Sequence, residues 1–274
     1  MFYAPRRTGT LATALSVGEL IFHSTVRAIR KGHGNAVYGL LMNVLQTAAL
    51  LLVFYLLMTM MRMRGSAIRG DYFVYMMTGI ATFMAHTKAM SAVAQSGSST
   101  SQMQMHGPMT TAVAIISAAL ASLYLQVLTM AVLLYGYHVL FAPEPLEFEY
   151  PVAAMAMVFL GWLYGIALGL VLLGLRPWSP AATNIIQALY SRASMIASGK
   201  MVVANSLSWS MLKFFEWNPL FHIIDQLRGF VFVNYNPFHT NWQYPLIVTP
   251  IVMLIGLMGE FYTRRRASLS WSAK

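Results

Sequence analysis

The side chains with the clearest chemical potential form a polar stripe within an apolar stretch of the sequence. Asn, Gln and Ser recur there at intervals of three and four residues, which places them on one face of a helix. Two cations accompany them, and the whole set is Asn184, Gln187, Ser191, Arg192, Ser194, Ser198 and Lys200. Polar and charged groups in a membrane helix tend to face a bundle interior or a watery cavity. The stripe therefore indicates either the lining of a substrate pathway or a hydrogen-bonding seam between helices, and both interpretations stay open.

Catalytic or metal-binding arrangements do not stand out elsewhere in the sequence. The seven His residues are scattered, without an HExxH motif or a paired metal-ligand spacing. Cysteine is absent, which excludes disulfides, thiol nucleophiles and thiolate metal sites. Gly199-Lys200 lacks the earlier glycine and the closing Ser or Thr of a phosphate-binding loop. We therefore expect no catalytic residue, no metal and no cofactor in this chain.

Long uncharged apolar runs must position these residues. Val37–Met61, Met109–Ala142 and Tyr150–Leu175 contain no charged residue, and each exceeds the about 20 residues that a helix needs to cross a bilayer. Composition agrees, because 58% of the residues are hydrophobic and only 9% are charged, against roughly 25% charged in soluble domains. The sequence therefore predicts an all-α, polytopic membrane protein with a single transmembrane domain over residues 1–274.

Six membrane spans are predicted along the chain. They lie at about Tyr38–Met61, Tyr72–Ala94, Met109–Ala142, Val152–Leu175, Ala181–Leu207 and Tyr244–Tyr262. Residues 1–33 predict an amphipathic helix in the plane of the interface, because apolar residues recur there at spacings of three and four. Five spans thus occupy residues 38–207, and residues 263–274 form a tail.

The distribution of Lys and Arg predicts the orientation of these spans. The N-terminal segment carries five of them and the C-terminal tail four, whereas the loop with Glu144, Glu147 and Glu149 carries none. By the positive-inside rule both termini are cytoplasmic, although three Arg residues between the first two spans then lie outside, against the rule. The net charge of +10 is accordingly attributed to segments that face anionic lipid, and not to nucleic-acid binding.

A few charged residues lie inside or between the apolar segments. Lys88 is near the inner end of the second span, where its long side chain is expected to reach the interface. Glu216 lies near Lys213, and Asp225 lies near Arg228. We expect structural ion pairs within these two sets.

Gly161, Gly165 and Gly169 form a ladder with four-residue steps in the fourth span. Glycines at this spacing let two helix backbones approach closely in lipid, where packing drives association. The ladder therefore predicts a helix contact within the chain or between copies of it, and it carries no chemistry.

Residues 208–243 are too interrupted for another crossing and too apolar for a solvated loop. Pro219 and Pro237 break any helix there, and charged residues add to the cost of crossing. We predict two short helices that dip into the outer leaflet and return, and that gate an exit. Asn218 is expected to set the bend and cap the second helix, because a residue before Pro avoids the helical conformation.

One motif in this segment resembles the signature of a known family. Its residues are Trp217, Asn218, Pro219, Leu220, His222, Asp225 and Arg228. The pattern W-N-P-L-x-H-x-I-(E/D)-x-x-R resembles the one before the last span of ABC-type polysaccharide-export permeases, the membrane subunits that export capsular polysaccharide or O-antigen. The resemblance extends over nearly the whole chain, through the interfacial helix, the six spans and Ser198-Gly199 in the fifth span.

The resemblance implies a function, a location and partners. Two copies of the chain would form a channel in the bacterial inner membrane, each paired with a separate subunit that binds and hydrolyses ATP. A lipid-linked polysaccharide would enter from the cytoplasmic leaflet. Periplasmic and outer-membrane export proteins would be further partners.

The polar segment 95–108 would include the coupling helix that docks on the ATPase. The residues expected to make this contact are Ser99, Gln102, Gln104, His106 and Pro108. The family often has an Asn and one or more basic residues before the third span, and this chain has neither there. The contact is therefore expected to use different chemistry.

Two alternative functions remain at the level of the sequence. One is an ABC permease for a drug or a lipid. The other is an integral-membrane enzyme acting on lipid-linked intermediates, which would need acidic, His or Ser groups clustered at one membrane depth. Aromatic residues crowd the outer half and could stack on sugars, but the aromatic belt common to membrane proteins explains most of them.

Overall fold

Helices form the architecture of the computed structural model, which describes residues 10–31, 35–60, 68, 70–104, 110–141 and 148–272 and contains no strand within them. The helices are α1 (Thr10–Lys31), α2 (Ala36–Met60), α3 (Tyr72–Gln104), α4 (Thr111–Leu140), α5 (Pro151–Leu175), α6 (Pro180–Ala197), α7 (Trp209–Phe215), α8 (Pro219–Val231) and α9 (Gln243–Ser272). A single 3-10 turn, Ala204–Ser206, lies between α6 and α7. The prediction of an all-helical fold is confirmed.

Four helices in the described part of the chain are long and apolar enough to cross a membrane. They are α2, α4, α5 and the Gln243–Thr263 part of α9. Four of the six predicted spans thus have the length and composition of membrane helices. The two remaining ones, α3 and α6, are less apolar.

The glycine ladder of α5 packs on α3. A Cβ atom on Gly165 would collide with the main-chain oxygen of His86, and one on Gly169 would lie 2.8 Å from that of Met90. At Gly161 the same atom would lie 3.1 Å from the Thr82 methyl group. The ladder therefore makes a close helix contact within the chain, the first of the two alternatives left open by the sequence.

The opposite side of α5 packs on α9 in the same way. A Cβ atom on Gly256 would lie 2.8 Å from the main-chain nitrogen of Val171, and one on Gly174 would lie 3.0 Å from that of Glu260. The Thr263 hydroxyl donates to the Gly174 carbonyl oxygen at 3.0 Å. Because helices approach it on both sides, α5 is the central helix of the bundle.

α2 and α1 complete the other side of the bundle. The residues of α2 that are buried recur every three or four positions, and they are Gly39, Asn43, Thr47, Leu51, Phe54 and Met58. This stripe faces α3 and α4. α1 lies against α4, where the Ser117 hydroxyl donates to the Ile21 carbonyl oxygen at 3.3 Å.

α3 is longer than predicted. The polar segment after Ala94 continues the helix as far as Gln104, so the change in composition does not end the helix. No proline occurs between Ala94 and Pro108 to interrupt the backbone hydrogen bonds. Residues 105–109 lie outside the described residues.

α6 is shorter than predicted, and the expectation of one helix over Ala181–Leu207 is wrong. α6 ends at Ala197, and Gly199 follows with a φ of +64°, in the left-handed region that favours glycine. The next residues turn away from the helix axis and lead to the 3-10 turn. The reason is tertiary, because an arginine from α8 binds the carbonyl groups of this turn, as shown below.

Candidate functional site

The polar stripe of α6 is divided between two environments. Ser194, Ser198 and Lys200 are buried, and Gln187 and Ser191 are half-buried. Asn184 and Arg192 are exposed. One edge of the stripe thus faces the rest of the chain, while the two exposed residues face away from it.

A hydrogen bond between α3 and α6 joins this edge to the bundle. His86 is fully buried, its Nε2 lies 2.9 Å from the Tyr190 hydroxyl, and its Nδ1 lies 3.2 Å from the Gly161 carbonyl oxygen. A carbonyl only accepts, so Nδ1 carries the proton and Nε2 accepts from Tyr190. Sequence reasoning missed this contact, although Tyr190 lies three residues after Gln187 and four before Ser194 and so belongs to the same stripe.

The Lys200 ammonium lies in an aromatic enclosure. Only 2% of the residue is exposed. Its Nζ lies 4.1 Å from the centre of the Phe83 ring and 4.6 Å from that of Phe54, and it has no hydrogen-bond partner among the described residues. Aromatic faces attract a cation, so these rings from α2 and α3 take the place of an anion. Within a single chain, Lys200 is packed in the interior.

Lys88 lies at a polar junction of three helices. Its ammonium donates to the side-chain oxygens of Asn43 and Gln46, the latter at 3.1 Å. The Asn43 amide in turn donates to Thr129 Oγ1 at 2.6 Å and to the Leu125 carbonyl oxygen at 3.2 Å. Lys88 therefore connects α3 to α2 and α4 through amide groups, whereas its position in the sequence predicted that its side chain reaches the membrane interface.

Asp225 of the family-like motif holds three surrounding segments. Its Oδ1 accepts from the Ala204 main-chain nitrogen at 3.1 Å and from the Tyr235 hydroxyl at 2.6 Å. Its Oδ2 accepts from the Thr240 hydroxyl at 2.8 Å. Burial, followed by the nearby Asp225 charge, raises the pKa of Tyr235, which keeps this hydroxyl a donor.

Arg228 of the same motif binds the turn that ends α6. The residue is fully buried, and its Nη1 donates to the carbonyl oxygens of Gly199 at 2.9 Å and Val202 at 2.8 Å. Its Nη2 donates to the Lys200 carbonyl oxygen at 2.5 Å, and the guanidinium lies 4.3 Å from the centre of the Tyr75 ring. The predicted ion pair with Asp225 is wrong, because main-chain carbonyl groups of this turn bind the guanidinium instead.

The second predicted ion pair is also wrong. Lys213 lies over the Trp209 ring, 5.0 Å from its centre, and no ion pair joins it to Glu216. Lys213 and Trp209 are four residues apart on α7, so they are neighbours on one helix face.

The remaining motif residues shape the junction of α7 and α8. Asn218 has an extended backbone and caps α8 by accepting from the Leu220 nitrogen at 3.1 Å, with Pro219 in the first turn, as predicted. Its amide also donates to the Ala197 carbonyl oxygen at 3.0 Å. His222 Nε2 lies 2.9 Å from the Glu216 carbonyl oxygen.

Trp217 differs from the rest of the motif. It is 82% exposed, and the Tyr244 hydroxyl donates to its carbonyl oxygen at 3.1 Å. The polar side chains of the motif, Asn218, His222, Asp225 and Arg228, all bind main-chain groups. The Trp217 ring, by contrast, is exposed on the surface of the chain.

α8 runs alongside the first half of α5 in the opposite direction. At one end, the Tyr150 nitrogen donates to the Phe230 carbonyl oxygen at 2.8 Å. At the other end, Leu220 and Ile223 contact the position of Gly161, ten residues into α5. Ten helical residues span about 15 Å. The predicted pair of short helices is present, and α8 reaches well along the central helix.

The predicted ATPase contacts lie at the end of α3. Ser99, Gln102 and Gln104 belong to its last turns. His106 and Pro108 lie outside the described residues.

No family model matches the chain, and no curated protein matches it.

Proposed function

We propose that this chain is the channel-forming permease subunit of an ABC exporter that moves capsular or related cell-surface polysaccharide across a bacterial inner membrane. The observation that carries the proposal is a clamp at the end of α6, formed by the motif residues Asn218, Asp225 and Arg228. These residues hold α8 against the end of α6 and the turn after it through main-chain hydrogen bonds. A motif that resembles a permease signature thus has a defined mechanical role at the place where an exit gate is expected.

In this proposal six helices cross the membrane, namely α2 to α6 and α9, and both termini are cytoplasmic. α3 needs little apolar surface because other helices surround it, and its polar residues Thr78, Thr82 and His86 are buried by protein. α1 lies on the cytoplasmic surface of the membrane. Its exposed Leu15 and Phe22 support that position, since they would enter the lipid interface.

The exposed edge of α6 lines the pathway in this proposal. Arg192 lies in the second half of α6 and is exposed on the isolated chain. A charge facing lipid at that depth is costly, whereas a water-filled pathway would solvate it. The guanidinium would pair with an acidic polymer or with the phosphate of a lipid carrier.

The proposed partners are an ATPase subunit, a second copy of the chain and the lipid-linked polymer. The last turns of α3 would contact the ATPase, which would supply the ATP and the energy. This chain would bind no cofactor itself and would act as a transporter subunit, not as an enzyme.

One observation favours the alternative of a lipid substrate. An apolar cavity of about 230 Å³ lies between α3, α4, α5 and α8, lined by residues such as Met77, Leu134 and Val158. Such a cavity suits a hydrocarbon chain. The carrier lipid of a polymer and a free lipid substrate would both fill it, so the polymer itself must be measured.

The test is deletion of the gene in its source bacterium, followed by measurement of surface polysaccharide. We expect the deletion strain to lose surface polymer and to accumulate it inside the cell, and the wild-type chain to restore it. The purified chain should hydrolyse ATP only with a partner ATPase. Normal surface polymer in the deletion strain would reject the proposal, and conversion of a lipid-linked intermediate by the pure chain would favour the enzyme.

A further inference from the structure

A cavity of about 730 Å³ opens where α8 ends and α5 begins. The residues on which its chemistry depends are Glu149, Tyr150, Asn205, Asn234, Asn236 and Phe238. Its volume lies within the range of roughly 300–1,000 Å³ that small-ligand sites occupy. It is separate from the α6 stripe, and none of the proposed pathway residues lines it.

The walls of the cavity are held in place by hydrogen bonds. The Asn205 amide donates to the Asn236 carbonyl oxygen at 2.8 Å, and its oxygen accepts from the Phe238 nitrogen at 3.3 Å. Tyr235 and Gln226 also line the cavity, and they bind Asp225 at 2.6 Å and the Thr240 carbonyl oxygen at 2.7 Å. The cavity is therefore preformed, which lowers the entropic cost of binding a ligand.

Several lining groups have no protein partner. The side chains of Asn234, Asn236 and Glu149 are exposed and make no hydrogen bond or ion pair with any described residue. Phe238 is 76% exposed and Tyr150 is 56% exposed. A built cavity thus presents two amides, a carboxylate and two aromatic rings to whatever enters it.

This combination matches the surface of a sugar. Aromatic faces pack against apolar sugar faces, while amides donate and accept hydrogen bonds and a carboxylate accepts them from hydroxyls. Among the described residues that line the cavity, Glu149 is the only charged one. Its negative charge repels an acidic sugar and so weakens its binding, whereas the binding of a neutral sugar is unaffected.

We propose that this cavity binds a neutral or N-acetylated sugar unit of the transported polymer at the outer end of the permease. The inference rests on the proposed function for the source of the sugar. It adds a binding site outside the α6 pathway and a preference among sugar classes. Phe238 stacks on the ring, and Asn234 and Asn236 bind its hydroxyl or acetamido groups.

The experiment measures binding of three oligosaccharides to the full chain in lipid nanodiscs. The probes are maltotriose, the N-acetylglucosamine trimer and trigalacturonate. Binding of each probe is measured by ligand-observed NMR titration. We expect the two uncharged probes to bind at least several-fold more tightly than trigalacturonate. Glu149→Gln should narrow that difference by strengthening trigalacturonate binding.

Variants of the lining residues test whether the measured binding takes place in this cavity or elsewhere on the protein. Phe238→Ala and Asn236→Ala should each weaken binding of the uncharged probes about two- to tenfold, the value of one good contact. Phe214→Ala is the matched control, because Phe214 is a similarly exposed Phe, at 83%, outside the cavity. All three positions are exposed, so thermal unfolding should be unchanged.

Either of two results would overturn the inference: no binding of the uncharged probes at millimolar concentration, or equal binding by Phe238→Ala and the wild type. Neither result would touch the exporter assignment, which depends on surface polymer in the deletion strain. Conversely, normal surface polymer with Phe238-dependent binding would leave a sugar site in a protein of another function.

Discussion

Buried charges in the described part of this chain bind main-chain groups, hydroxyls or aromatic rings, and none of them binds an opposite charge. Arg228 donates to three carbonyl oxygens, Asp225 accepts from a nitrogen and two hydroxyls, and Lys200 lies against two Phe rings. A buried charge is costly unless its hydrogen bonds are satisfied. Each of these residues is therefore specific to its surroundings, and exchange for another residue of the same sign should not be neutral.

Arg228→Lys should destabilise the protein although it keeps the positive charge. A lysine ammonium cannot reproduce the planar fork that reaches the Gly199, Lys200 and Val202 carbonyl groups. Leaving buried acceptors unsatisfied costs about 1–3 kcal/mol. We expect a lower thermal unfolding midpoint in detergent. Arg192→Lys, the same exchange at an exposed site, is the control, and equal midpoints for the two variants would contradict the clamp.

Arg192→Ala and Lys200→Ala should have different effects. Arg192 is exposed, so under the proposed function its loss should lower surface polymer while the amount of this protein in the membrane stays the same. Lys200 is enclosed by Phe54 and Phe83, so its truncation leaves a cavity and should lower the amount of the protein. Surface polymer and the amount of the protein are measured in the same cells. Normal export by Arg192→Ala would leave only the structural interpretation of the stripe.

At the scale of helices, α5 is held tightly and α6 loosely. Glycines of α5 allow α3 to approach on one side, and the contact with α9 on the other is equally close. α6, by contrast, meets the bundle mainly through Tyr190 and the clamp at its C-terminal end. Large substitutions in α5 should therefore disrupt the fold, while changes at the α6 contact should increase its motion.

Gly165→Ala should be strongly destabilising, although alanine usually favours a helix by about 1 kcal/mol over glycine. The new Cβ would collide with the His86 main-chain oxygen, which cannot move without separating α3 from α5. Gly136→Ala in α4 is the matched control, because nothing lies within 4 Å of its Cβ position. Unfolding midpoints of the two variants are compared. A Gly165→Ala protein as stable as Gly136→Ala would show that the helices are further apart.

Tyr190→Phe should loosen α6 without unfolding the bundle. The change removes the hydroxyl that donates to His86 Nε2 and leaves the ring in place. Loss of one hydrogen bond of about 1 kcal/mol predicts a several-fold faster amide exchange in α6. Tyr124→Phe, at an exposed position of α4, is the control. Unchanged exchange in α6 would mean that other contacts hold this helix.

At the scale of the whole molecule, the two ends of the bundle carry different groups. One end holds the 730 Å³ cavity beside the start of α5, and the other holds Trp178 just after the end of α5. α5 has 25 residues, or about 37 Å of helix. That length crosses the hydrocarbon core, so the proposed topology puts these two ends on opposite sides of the membrane.

Single-cysteine labelling tests that topology, and the chain has no native cysteine to interfere. Asn234→Cys should react with an impermeant reagent added to intact cells, because Asn234 is exposed beside the cavity. Trp178→Cys should react only after the membrane is permeabilised. Labelling of both positions from the same side would contradict the span through α5, and a reversed pattern would invert the orientation.

Features that depend on neighbouring residues could be predicted from the amino-acid sequence. Long apolar runs predicted α2, α4, α5 and the last helix, because burial in lipid selects composition over about 20 consecutive residues. The division between α7 and α8 followed from Asn218-Pro219, a local restriction on the backbone. The glycine ladder predicted a close helix contact, since its spacing is that of one helix face.

Features whose partners are distant in sequence could be seen only once the helices were packed together. α6 ends at Ala197 because Arg228 and Asn218, more than twenty residues away, bind its last carbonyl groups and the turn after it. The partners of Lys88 and His86 lie on other helices. Composition determines the free energy of placing a helix in lipid, but it does not determine which polar groups come into contact. That pairing depends on how the helices pack.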